Sequence, residues 1–82
     1  MTRIFFDVQR NGVVMRDEVG QDMPDVEAVR AEAMSSLPSI AQSELETDGD
    51  RQDFVVIARN EAGKTIYSAS LSYVGLKLSD EL

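Results

Sequence analysis

The chain has 82 residues, of which 43% are hydrophobic and 28% are charged, and its formal net charge at pH 7 is −7. This length predicts one domain with one core over residues 1–82, and the apolar content is too high for an intrinsically disordered chain. Because the sequence contains neither cysteine nor histidine, it excludes disulfides, thiolate chemistry and the commonest general base and metal ligand.

The negative charge is concentrated in the middle of the chain. Between Asp17 and Asp53, eleven acidic residues accompany only Arg30 and Arg51, so this segment has a net charge of −9. Such a segment repels phosphates, and we expect no direct nucleic-acid partner. It can attract a basic protein, although the simpler interpretation is a solvated surface that keeps the protein in solution.

The sequence also lacks signals for a membrane. The first residues show no signal-peptide pattern, and no apolar run approaches the roughly 20 residues that span a bilayer. We therefore expect a cytoplasmic protein with no membrane partner.

The first predicted unit is a β-hairpin. Apolar residues alternate with polar ones over residues 2–10, Asn11-Gly12 is typical of a two-residue type I′ turn, and residues 13–17 form the return strand. This register pairs Val8 with Met15 on the apolar face and places Asp7 opposite Arg16 on the other face.

A turn at residues 17–20 precedes a helix predicted over residues 24–43. Asp22 or Asp25 can cap its first turn, and Pro24 is compatible with the start of a helix. Pro38 lies within the helical pattern, which predicts a kink or a break followed by a second short helix. A polar loop is predicted over residues 46–51.

The second predicted hairpin has strands over residues 53–60 and 64–74. A three-residue loop with Gly63 in the left-handed conformation pairs Asn60 with Lys64. This register places Ile57 opposite Tyr67 and Val55 opposite Ala69.

The fold class is therefore α+β, with two layers in the order ββαββ, one antiparallel sheet of two hairpins and one helix on its apolar face; the strand order stays open. The predicted core contains Ile4, Phe6, Val8, Met15, Val26, Val29, Ala33, Leu37, Ile40, Val55, Ile57, Tyr67 and Leu71.

Five apolar residues fall on the sheet face opposite this core, and we take them as the candidate interaction surface: Phe5, Val14, Phe54, Val56 and Ile66. Three interpretations stay open for this face. It can be an interface with a second copy or another protein, it can be covered by the segment 76–78, or its residues can be scattered without function.

No pattern in the sequence predicts catalysis. Phosphate-binding glycine motifs are absent, and Asp48, Asp50 and Asp53 lack the spacing of an EF-hand loop. We predict no catalytic, cofactor or metal residues and no enzymatic activity. An enzyme that relies on carboxylates alone is a minor alternative.

Five stretches of sequence carry a family resemblance. They are Phe5-Phe6-Asp7-Val8, Asn11-Gly12, Arg16-Asp17-Glu18-Val19-Gly20, residues 23–33 and Ala58-Arg59-Asn60-Glu61-Ala62-Gly63-Lys64. This sequence resembles a family of short uncharacterised proteins from soil-dwelling alphaproteobacteria, a domain of unknown function that implies no activity. In outline it is also similar to HicB-like antitoxins, which are small and acidic and bind a basic toxin nuclease.

These observations predict a small non-catalytic interaction module that self-associates or binds a protein partner. The contact would use the outer face of the sheet or an exposed sheet edge. The alternative is an antitoxin that neutralises a basic toxin.

Overall fold

The computed structural model describes residues 1–44 and 50–82, and these residues form five strands and one helix. The elements are β1 (Thr2–Arg10), β2 (Val13–Met15), β3 (Gln21–Met23), α1 (Val26–Glu44), β4 (Arg51–Arg59) and β5 (Thr65–Val74). The fold class is thus α+β, with β3 inserted between the first hairpin and the helix. Most of the polar loop predicted over residues 46–51 lies outside the described residues.

The strands form one open antiparallel sheet in the order β2-β1-β4-β5. β3 also pairs with β1, where it lies opposite Thr2–Ile4, whereas β2 lies opposite Val8–Arg10. The two short strands therefore share one side of β1. The predicted order ββαββ is wrong at β3, because a strand of three residues is too short to show a periodic pattern.

The first hairpin has the predicted turn and register. Asn11 and Gly12 have φ angles of 50° and 86°, as a type I′ turn requires. Val8 pairs with Met15 and Arg10 with Val13. The return strand ends at Met15 instead of residue 17, because Asp17 turns back onto β1.

The helix begins with Asp25 as its N-cap. The Oδ1 atom of Asp25 accepts a hydrogen bond of 2.8 Å from the backbone N–H of Ala28, which satisfies one of the free donors of the first turn. The helix continues through Pro38, so the predicted break does not occur. Pro38 is exposed, and water can therefore reach the carbonyl that its missing N–H leaves free.

The second hairpin contains a β-bulge that the sequence pattern does not predict. Asn60 donates a backbone hydrogen bond to Lys64, as predicted, and Arg59 pairs with Thr65. The next pair is Ala58 with Tyr67, so Ile66 is an extra residue. One extra residue reverses the faces of all the β4 side chains beyond it relative to β5.

The core therefore contains a different set of β4 residues from the predicted set. Phe54, Val56 and Ala58 are buried, whereas Val55 and Ile57 are half-buried on the other face. The remaining buried apolar residues are Ile4, Val29, Ala33, Leu37 and Ala41. The helix packs these side chains against β1, β4 and β5, with Phe6, Val8, Ile40 and Tyr67 at the margin.

Three predicted core residues are exposed instead. Met15 lies on the edge strand β2, Val26 is the first residue of the helix, and Leu71 lies on the edge strand β5. Each position is at the border of the two layers, where one neighbouring element is missing.

Candidate functional site

The structure separates the five residues of the predicted interaction surface. Phe54 and Val56 are buried in the core, and Ile66 packs against the cluster of Ile4, Val29 and Ala58. Only Phe5 and Val14 lie on the sheet face that the helix leaves open. The predicted surface is wrong for the three residues in the second hairpin, because the bulge at Ile66 exchanges the two faces there.

The segment Leu76 to Leu78 does not cover the open face. Leu76 and Leu78 are 79% and 86% exposed. This excludes the second of the three interpretations of that face.

The open face instead carries a buried ion pair. Asp7 is only 7% exposed, and its Oδ2 atom accepts a hydrogen bond of 2.8 Å from Nε of Arg59. Nη2 of Arg59 also donates to Oδ1 of Asp7 at 3.4 Å and to the carbonyl of Asp17 at 2.8 Å. The guanidinium lies 4.6 Å from the centre of the Phe5 ring, a cation–π distance.

Asp17 organises the loop that follows β2. Its Oδ2 atom accepts from the Phe6 N–H at 3.0 Å, and its Oδ1 atom accepts from the Val19 and Gly20 N–H groups at 3.0 and 3.1 Å. The Asp17 N–H donates to Oδ1 of Asp7 at 2.8 Å. These bonds fasten the loop to the centre of the sheet.

Gly20 allows the loop to lie close to the sheet. Its φ angle is +76°, and a Cβ atom there would be 3.0 Å from both Phe5 and Arg3 side chains. Both the conformation and the contact therefore require glycine.

The two carboxylates have lowered pKa values. Burial raises the pKa of Asp7, but the hydrogen bonds from Arg59 and the Asp17 backbone outweigh it and hold that pKa below its ordinary value. Burial likewise raises the pKa of Asp17, and the N–H groups of Phe6, Gly20 and Val19 lower it further than burial raises it. Both groups are thus ionised acceptors at neutral pH, unlike a catalytic acid.

This network was only partly predictable from sequence. The first hairpin places Asp7 near Arg16, which contributes to lowering its pKa, but the hydrogen-bonding partner is Arg59, 52 residues away along the chain. No local pattern marks that partner. The residues that carry the family resemblance, Phe5, Asp7, Asp17, Gly20 and Arg59, are largely those that build this network.

The described residues offer little for a cofactor or metal. Residues 1–44 and 50–82 contain no group of three acidic side chains able to hold a metal ion, and Asp48 lies outside them. A shallow cleft of about 200 Å³ lies between the start of the helix and Ile4, Met23 and Ile66. A groove of about 400 Å³ lies beside Phe6, Met15 and Ile40.

The two edges of the sheet differ in length and charge. On one edge, β2 and β3 have three residues each, and the charged loop 16–18 separates them. On the other edge, β5 has ten residues, none of them charged or proline. Among the described residues no strand pairs with the outer side of β5. We call this outer side the β5 edge.

The hydrogen bonds of β4 show which backbone groups line the β5 edge. The Asn11 N–H donates to the Asp53 carbonyl, and the Asp53 N–H donates to the Asn11 side chain, both at 2.9 Å. The backbone of Asp53 thus faces β1, so that of Phe54 faces its partner Leu71 on β5. Because the direction alternates along a strand, the backbone groups of Ser68, Ser70 and Ser72 point outward.

Exposed apolar side chains border the β5 edge on the helix side. Leu71 and Tyr73 are 40% and 44% exposed, and Met34 is 55% exposed. Ile40 lines the groove beside β1. Because successive helix residues are rotated by about 100°, Met34 lies about 120° around the helix axis from Ile40, on the side of the helix toward β5. The edge therefore combines free backbone groups with an apolar border.

The comparisons place the chain in a family without assigning a role. No helix among the described residues has the length and apolar character needed to cross a membrane. Neither a curated protein nor a solved structure matches the chain. The family model for DUF6894, a domain of unknown function, matches residues 3–72. The chain belongs to the DUF6894 family.

Proposed function

We propose that this protein is a non-catalytic interaction module that binds a strand of a protein partner along the β5 edge. The observation that carries the proposal is the contrast between the two sheet edges. Sheet edges in natural proteins are normally short, charged or covered, because free backbone groups pair with other strands. β5 has ten residues without a charge, and no strand of residues 1–44 and 50–82 pairs with its outer side.

The side chains of β5 support the same function. Ser68, Ser70 and Ser72 lie on the open face and occupy little space, so an incoming strand can approach closely. On the helix side, Leu71 and Tyr73 offer apolar contacts that an added strand would bury. Strand addition of this kind derives its affinity from main-chain hydrogen bonds and its specificity from alternate side chains.

An enzymatic role has weaker support. The two carboxylates of the network on the open face, Asp7 and Asp17, have lowered pKa values and are engaged in hydrogen bonds. A carboxylate that transfers protons near neutral pH needs a raised pKa and an accessible oxygen. We therefore propose that the protein is not an enzyme. We also propose that it acts in the cytoplasm of an alphaproteobacterial host.

Photo-crosslinking in the native host tests the proposal. A photoreactive residue in place of Ser68 should form a covalent adduct with a protein, and Ser70→Pro should abolish it, because proline removes an outward N–H without removing a bond to β4. The same residue in place of Ala31, on the exposed side of the helix, is the control and should not give that adduct. Absence of an adduct at Ser68, or its persistence with Ser70→Pro, would contradict the proposal.

The antitoxin function is a second candidate, and the acidic middle of the chain favours it. Glu18, Asp22, Asp25 and Glu27 are exposed around the start of the helix. A basic toxin should then associate at a rate that falls steeply with added salt. Charge reversal at Asp22 and Glu27 should slow that association, whereas Ser70→Pro should leave it unchanged.

A further inference from the structure

We infer that the partner of the β5 edge is the β5 strand of a second copy, in an antiparallel pair with its two-fold axis at Ser70. This inference rests on the proposed function and names the partner. The resulting homodimer would have one continuous sheet, with both helices on the same face.

The alternation of the backbone groups limits the possible registers. Ser68, Ser70 and Ser72 present their N–H and C=O groups outward, so these residues must form the hydrogen-bonded pairs of any new antiparallel ladder. A two-fold axis at Ser70 satisfies this condition. Ser70 then pairs with its own copy, and Ser68 pairs with Ser72 of the other protomer.

The sequence of β5 is nearly symmetric about Ser70. It reads Tyr67-Ser68-Ala69-Ser70-Leu71-Ser72-Tyr73. In the proposed register each tyrosine therefore faces a tyrosine and each serine a serine, while Ala69 faces Leu71. A symmetric contact requires a surface that is complementary to itself, and the near-symmetric sequence of this strand meets that requirement.

The side chains at the contact are complementary in size and polarity. Tyr67 and Tyr73 lie on the helix side, where cross-strand aromatic pairs stabilise sheets. The small Ala69 leaves room for the exposed Leu71 of the other copy. Since β5 carries no charged residue, the register brings no like charges together.

The oligomeric state of the purified protein tests this inference. Sedimentation equilibrium should show a reversible dimer, and Ser70→Lys should raise its dissociation constant at least tenfold, because two lysines would then face each other at the axis. Ser70→Ala is the matched control and should remain dimeric. Ser35→Lys adds the same charge on the exposed side of the helix and should also remain dimeric.

Spin labelling tests the register. The chain has no cysteine, so Ser70→Cys supplies a single labelling position. Labels at residue 70 should show strong dipolar broadening in the dimer. Labels at residue 68 should show much weaker broadening, because the two Cα atoms would lie about 14 Å apart at 3.4 Å per residue.

A strict monomer at millimolar concentration, or a dimer unaffected by Ser70→Lys, would overturn the inference. Equal broadening at residues 68 and 70 would overturn the register. The proposed function has its own test, because absence of a crosslinked adduct at Ser68, or its persistence with Ser70→Pro, would contradict it. An adduct at Ser68 with a different protein, together with a monomeric purified chain, would retain the interaction module and reject the homodimer.

Discussion

Arg59→Leu is the substitution that most directly probes the buried network on the open face. It removes the partner of Asp7, a bond to the Asp17 carbonyl and the contact with Phe5, and it leaves the Asp7 carboxylate buried without its counter-charge. Losing one partner of a buried ion pair costs about 3–5 kcal/mol. The side chains of Arg59 and Asp7 remain 13% and 10% exposed, so we expect the lower end, about 3 kcal/mol.

That loss is a large share of the total stability. A chain of 82 residues has an expected free energy of unfolding of roughly 4–12 kcal/mol. Urea denaturation at pH 7 measures the change by linear extrapolation. Arg16→Leu removes the same charge from an exposed side chain, and it should change the stability by about 0.5 kcal/mol at most.

A double-mutant cycle isolates the pair. Asp7→Leu combined with Arg59→Leu should be less destabilising than the sum of the two single changes, by at least about 1.5 kcal/mol, because the double variant leaves no buried charge. Additive effects, or a cost of Arg59→Leu below about 1 kcal/mol, would show that Asp7 and Arg59 do not act as a buried ion pair.

Three further predictions concern the core, the loop and acid. Phe54→Ala should cost about 3–5 kcal/mol, and Ile57→Ala less than about 2 kcal/mol, by urea denaturation; the reverse order would contradict the bulged register. Gly20→Ala should lower the melting temperature, since its Cβ meets Phe5 at 3.0 Å; an unchanged value would contradict this. The lowered pKa of Asp17 gives stability that is present above the ordinary value of 3.8 and lost as pH falls through the folded value. Asp17→Asn should therefore flatten the loss of stability as the pH falls below the ordinary value of 3.8. Profiles of unfolding free energy against pH that have the same slope in both proteins would contradict this prediction.

The sequence predicted the parts of the fold that depend on interactions between residues close together in the chain. Asn11-Gly12 specified both the turn and the register of the first hairpin. The pattern from Val29 to Ala41 placed the helix, and Asp25 was one of the two proposed caps. In each case residues close in sequence determine the conformation.

The features that the sequence did not reveal depend on residues far apart or on one irregular position. The bulge at Ile66 changes the register by one residue after a correctly predicted turn, and this single shift moved Phe54 and Val56 into the core. The pairing of Asp7 with Arg59 requires β1 and β4 to be neighbours. The strand order that makes them neighbours was not predictable from the sequence, and neither was the identity of the two edge strands.

The neighbouring position of β1 and β4 also has a consequence for folding kinetics. Their paired residues lie 44 to 54 positions apart along the chain, from Arg10 with Phe54 to Phe5 with Arg59. The two hairpins can form early from local contacts, but the sheet is complete only when these distant strands meet, and such long-range closure slows folding. During synthesis the first hairpin is complete before β4 leaves the ribosome. Until β4 pairs with β1, one side of β1 is exposed to other chains.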